Sequence, residues 1–231
     1  SGVAVQAVSF LDTLQNDPTL VSETRIVHDI ISSPVPEILP SGTSYLLLGV
    51  NTDNTRTNPM LEAIWVVTFT SDYSTVELRG LAPTPTMKSA FSEQYEEFTA
   101  LVLAQVTAPI QKQFYLNSEQ FMWIIDKMGG VRLSDRVLDG SETLHYVRAG
   151  RDVDEQLLRQ AAAVQALVAR AAVLGQRADV SAVLEKVRPG SFSHDEMSTI
   201  TDNFSPLSME RVRVGAVTTD SPPVSILEPS P

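Results

Sequence analysis

Residues 45–81 read YLLLGVNTDNTRTNPMLEAIWVVTFTSDYSTVELRGL. Two runs in this stretch, Tyr45–Val50 and Ala63–Thr70, are apolar almost without interruption and short. β-branched and aromatic residues crowd the second. A strand with one wet face alternates between polar and apolar residues, so unbroken runs of this length are strands covered on both faces. A weaker third strand is expected over Thr75–Leu81, and Ser71-Asp72-Tyr73-Ser74 supplies the turn chemistry that joins it to the second as a hairpin. A sheet buried on both faces requires a helical layer on each side.

The flanking sequence supplies those layers. In Lys88–Val106, Phe91, Tyr95, Phe98, Leu101, Val102 and Val106 recur at helical spacing and predict one helix. Phe114-Tyr115-Leu116 reads as a strand. Asn117 and Gln120 have capping-box spacing and open a helix carrying Phe121, Ile124, Ile125 and Met128, which Gly129 stops. Val131–Leu133 is a strand edge. Asp139-Gly140-Ser141 starts a short helix through Val147, and the longest helix is expected over Asp154–Leu174. Short helices are also expected over Val180–Val187 and from Ser193 to Asn203, followed by an alternating strand over Glu210–Thr218. The interleaving predicts an α/β fold, a three-layer α/β/α sandwich with a mixed central sheet, over residues 44–218. Residues 1–43 read as an N-terminal spacer or stem, with a short helix at Val5–Leu14 and an extended Pro-rich stretch over Ser33–Pro40. Residues 219–231 form a Pro/Ser-rich tail.

Composition narrows the function. A net charge of −11 lacks the basic footprint that binding to nucleic acid requires, so no nucleic-acid partner is expected. There is no cysteine, which excludes disulfides, thiolate metal sites and cysteine nucleophiles. His28, His145 and His194 are scattered without a histidine partner at i+3 or i+4, against a zinc site. The sequence shows no phosphate-cradling glycine loop, no dinucleotide fingerprint and no nucleophile elbow. No apolar run approaches the roughly 18 residues of a membrane-spanning helix.

Three segments, in order, carry a resemblance. Tyr45–Val50, the loop to Glu62 and the strand from Ile64 look like a block of strand ending Gly-Val-Asp, variable loop, Arg-Ser-Asp and second strand. Phe121–Leu133 (FMWIIDKMGGVRL) resembles a helix closed by Gly-Gly-Val. Leu138–Leu167 (LDGSETLHYVRAGRDVDEQLLRQAAAVQAL) resembles Leu-Asp-Gly, then Ala-Leu-x-Tyr-x-Arg, an Asp/Arg-rich turn, and Arg-Gln opening a long helix. In the last segment Asp139, Gly140, Leu144, Tyr146, Arg148, Arg159 and Gln160 fall at compatible spacings. These blocks are similar to those of the LytR–CpsA–Psr family of cell-envelope glycopolymer transferases.

The resemblance implies transfer of a glycopolymer from a polyprenyl-pyrophosphate carrier to peptidoglycan. It further implies arginines on the pyrophosphate, a magnesium ion held by carboxylates, and an apolar slot for the lipid. On this chain the phosphate-binding positions fall on Arg148, Arg151, Arg159 and Arg56, with Arg148 and Arg159 also in the catalytic role. The metal positions fall on Glu62 and Asn51. Trp65 and Trp123 are read as core aromatics, with lining of the slot as the alternative.

Several family positions are changed. Asn51 replaces an aspartate, and Met60 an arginine. Leu81-Ala82-Pro83-Thr84-Pro85 lacks the arginine and aspartate of Ile-Pro-Arg-Asp-Thr. Gly150 stands where a second arginine follows Arg148, with Arg151 displaced by one, and Gln156 stands where an arginine precedes Arg159. A charge-assisted hydrogen bond contributes about 1.5–3 kcal/mol, and a transition-state arginine roughly a thousand-fold in rate. Losing several together removes most catalysis and leaves room for weak phosphate binding. The resulting expectation is an extracytoplasmic domain with a degenerate site that binds a polyprenyl-phosphate lipid or envelope glycopolymer. It would be anchored by a transmembrane helix that precedes Ser1. Two alternatives stay open: an active phosphotransferase, and a structural domain with no ligand.

Overall fold

The computed structural model describes residues 42–51, 59–71, 74–106, 109–174 and 209–219. Its centre is a five-stranded mixed sheet. Strands β1 (Thr43–Asn51), β2 (Met60–Phe69) and β3 (Val76–Leu81) form an antiparallel meander. β4 (Ile110–Asn117) lies parallel to β1, and a C-terminal strand over Val212–Val217 lies parallel to β3. A separate two-stranded ribbon joins β5 (Val131–Leu133) to β6 (Arg136–Leu138), so the C-terminal strand is β7 and the sheet order is β4-β1-β2-β3-β7.

Period-2 alternation splits the central strands between two cores. Leu46, Leu48, Ile64, Val66 and Leu81 face one side of the sheet. They pack under helices α1 (Pro85–Glu93) and α2 (Tyr95–Leu103) through Met87, Ala90, Phe98 and Val102. Leu47, Ala63, Trp65 and Leu78 belong to the opposite core, which Leu157 and Ala161 of the 22-residue helix α5 (Val153–Leu174) complete. Between them in sequence come α3 (Ser118–Lys127) and α4 (Gly140–Arg148), packed on each other. The three-layer α/β/α sandwich with a mixed sheet is therefore the observed architecture.

Local chemistry fixes the element ends. The Asn117 side chain accepts from the Gln120 amide at 2.8 Å while Gln120 Oε1 accepts from the Asn117 amide at 2.9 Å, the reciprocal capping box expected there. Asp139 and Glu142 repeat the device at the start of α4. Gly129 and Gly130 close α3 with φ of 76° and 85°, values that favour glycine.

Two expectations need correction. The single helix over Lys88–Val106 is two helices, because Gln94 adopts φ −143° and ψ 78° and breaks the ladder. The first of them starts earlier, at Pro85, under a Thr84 cap that accepts from the Met87 amide. Val131–Leu133 is a strand, as expected, and pairs with β6 in the separate ribbon. Finally, α5 is long and apolar enough, by length and composition, to cross a membrane. Alanines dilute its apolar pattern in the sequence, and here the helix covers the sheet. The expected spacer and tail and the helices at Val5–Leu14, Val180–Val187 and Ser193–Asn203 lie outside the described residues.

Candidate functional site

Strands β1, β3 and β4 run the same way, so their C-terminal ends share one edge of the sheet with the start of β2. In α/β sheets, ligands bind at that edge. Asn51, Glu62, Asn117 and Ser118 all sit there, and α1 starts just after it. A cavity of about 720 Å³ opens beneath this edge, between the sheet and helices α3, α4 and α5. Its volume falls within the range of small-molecule sites.

Small residues make the cavity. Gly49 and Ala63 pair across β1 and β2, and a Cβ added at Gly49 would lie 2.8 Å from the Ala63 Cβ. Ala163 lines the cavity from α5. The small side chains at these positions leave space between the sheet and the helical layer. The walls are apolar: Leu47, Trp65 and Leu78 from the sheet, Phe121 from α3, Val164 and Leu167 from α5. Trp65 is thus both core, at 5% exposure, and slot wall. Trp123 is half-buried and is not among the lining residues.

At the mouth, Arg148 ends α4, where a cation also complements the helix dipole. Its Nη2 donates to Glu62 Oε2 at 2.6 Å and to Ser118 Oγ at 2.8 Å, and its Nε donates to the same Glu62 oxygen at 3.2 Å. Two positions that the resemblance assigns to phosphate and to metal are therefore bonded to each other. Gln160 Nε2 donates to the Glu62 carbonyl, which leaves Gln160 Oε1 buried without a donor among the described residues. Lys88, half-buried on α1, also lines the cavity with Ser89 and Ser92. The sequence reading missed it. The signal was available: Thr84 followed by Pro85 fixes the helix start, and Lys88 and Ser92 then fall one turn apart on one face.

The other expected residues stand elsewhere. Arg151 is largely exposed and bonds Glu155 at 2.8 Å. Arg159 bonds the same carboxylate at 2.9 Å and lies over the Tyr146 ring. Neither lines the cavity. Shared between two guanidiniums, first by its hydrogen bonds to Arg151, the Glu155 carboxyl is lowered to about 2. Arg79 pairs with Glu77 and Arg136 with Glu142, and neither lines the cavity. Arg56 lies outside the described residues.

A divalent cation needs converging oxygen ligands, including one or two carboxylates. Among the described residues no three His, Asp or Glu side chains converge, Asn51 offers only a carboxamide, and Glu62 is committed to Arg148. This donor set does not fit magnesium.

No protein-family model matches the chain, and no curated protein matches it in sequence. Solved structures do match in fold. The LytR-Csp2A-Psr enzyme from Actinomyces oris is similar with a TM-score of 0.57 at 13% identity, covering 77% of this chain and 80% of that one. TagV of B. subtilis gives 0.56 at 17% identity, over 78% and 85%. TagT bound to LIIa-WTA gives 0.53 at 18% identity, over 81% and 83%. The chain has the LytR–CpsA–Psr fold.

Proposed function

We propose that this LytR–CpsA–Psr-type domain binds the isoprenoid chain and phosphorylated head of a lipid-linked glycan in cell-envelope biogenesis, without transferring the glycan. One observation carries the reading. An apolar slot lies between sheet and helices, and the retained Arg148 stands at its mouth. The slot suits a hydrocarbon chain, because burial of each methylene contributes about 0.8 kcal/mol. The mouth supplies Arg148, Lys88 and the N-terminus of α3, all of which favour an anion. TagT, which shares the fold, is seen with LIIa-WTA bound, in keeping with such a ligand here.

Transfer demands more than this mouth offers. Arg148 already neutralises Glu62, and Arg151 and Arg159 are held by Glu155 outside the slot. A lipid ligand would place the domain beside a membrane, on its extracytoplasmic face.

The test is incubation of the protein with a polyprenyl pyrophosphate, with and without magnesium, following both binding and phosphate release. Binding without release, weakened in Arg148→Ala, is the expected result. Magnesium-dependent release abolished by Arg148→Ala would establish a phosphotransferase and overturn the degenerate-site reading. Neither binding nor release, with a polyprenyl phosphodiester unbound as well, would leave a structural domain.

A further inference from the structure

The slot's own lining says which phosphate it suits. Its charged residues are Lys88, Arg148 and Glu62, leaving a single net positive charge. A lipid linked through pyrophosphate brings at least two ionised oxygens. Stabilising them takes several bidentate arginines, or a cation held on carboxylates. Neither is present among the described residues: Arg148 is the one arginine in the lining, and the donor set does not fit a divalent cation.

Glu62 then acts in the opposite sense to a metal ligand. Its carboxylate lies 2.6 Å from the Arg148 guanidinium, with Ser118 Oγ on the same nitrogen. A first phosphate must share Arg148 with Glu62. A second phosphate would add a charge that Lys88 alone among the lining cations is left to meet, and the Glu62 carboxylate close by would repel it. The remaining polar lining is neutral: Ser89, Ser92, Asn117, Ser118, Gln156 and Gln160. Hydroxyls and amides of this kind hydrogen-bond sugar hydroxyls, which both donate and accept.

On the reading that the slot holds a lipid, we infer that its ligand is a polyprenyl chain joined to a sugar through one phosphodiester, carrying one negative charge, and that Glu62 sets the discrimination against pyrophosphate.

The test compares three lipids with the same isoprenoid tail, a glycosyl phosphodiester, a pyrophosphate and the uncharged alcohol. Equilibrium binding to the full chain is followed by fluorescence of Trp65 and Trp123, in EDTA and again in magnesium. The phosphodiester is expected to bind roughly tenfold or more tighter than the pyrophosphate, the size of one charge-assisted hydrogen bond. Magnesium should leave that order unchanged. Glu62→Gln, checked for folding by circular dichroism, should raise pyrophosphate affinity to at least that of the phosphodiester. Lys88→Gln should weaken the phosphodiester and leave the alcohol unaffected. Four outcomes would overturn the inference while lipid binding stands: equal or tighter pyrophosphate binding in the unaltered protein, a magnesium-dependent reversal, an alcohol that binds as tightly as the phosphodiester, or a ratio that Glu62→Gln does not move. Failure of all three lipids to bind would overturn the lipid reading itself.

Discussion

Adding a single methyl group at Gly80 tests how α5 is seated on the sheet. Gly80 lies in β3 opposite Trp65 of β2. A Cβ there would come 2.7 Å from Leu157 Cδ1 and 3.0 Å from Trp65 Cζ2. Both neighbours are buried, Leu157 completely, so neither yields cheaply. Overpacking of this kind costs about 1–3 kcal/mol, offset in part by the roughly 0.5–1 kcal/mol saved when glycine leaves a strand. Leu157→Ala alone leaves a cavity and costs about 2–5 kcal/mol. In the double variant the new methyl moves into the vacated space and the clash disappears. The two changes should then couple favourably by about 1–3 kcal/mol. Urea unfolding of the four proteins measures the cycle. Additivity to within about 0.5 kcal/mol would mean that α5 does not rest on β3 at this point, and the account of the slot's floor would fall with it.

Filling the slot from the other wall, Val164→Trp should abolish binding of an isoprenoid lipid with little effect on the unfolding midpoint; unchanged binding would show that the ligand lies elsewhere. Asp139→Ala removes the cap whose carboxylate accepts from the Glu142 amide at 2.8 Å, and should cost about 1 kcal/mol in unfolding free energy. A loss below a few tenths would contradict the capping box. Side-chain NMR should find Glu155 titrating near the value of about 2 set by its two arginines, and Arg151→Gln should move that midpoint upward. Its folded-state value lies below the ordinary 4.5, so its stabilising contribution is complete above the ordinary value and disappears as pH falls through about 2. An ordinary midpoint in the unaltered protein would refute the shared pairing.

Much of the fold was legible because its signals are local. Unbroken apolar runs such as Tyr45–Val50 identify strands covered on both faces, whatever covers them. The pairs Asn117/Gln120 and Asp139/Glu142 mark helix starts from side chains three residues apart. What misled the periodicity was Gln94: the apolar spacing runs straight through it, and only the packing of α1 and α2 over the Leu46–Leu48 core shows that the helix breaks. Lys88 stayed hidden for a related reason, since its reach to the slot depends on where α1 leaves the sheet.

By itself, then, the sequence determined the α/β class, the order of most elements, the caps and the retained Arg148, all properties of short windows. Tertiary structure alone decided the rest. The slot exists because Gly49, Ala63 and Ala163, far apart in the chain, leave bulk out of one place. The fate of the charged residues was likewise a matter of distance in space: Arg148 and Glu62 are 86 residues apart in sequence, and the guanidinium donates to the carboxylate at 2.6 Å. Arg151, just before α5, and Arg159, within it, looked equally suited to phosphate and are each drawn to Glu155, four residues away. A guanidinium binds the carboxylate that the fold brings within reach, and for Arg148 that partner lies on β2, distant in the chain, which no local pattern of residues can specify.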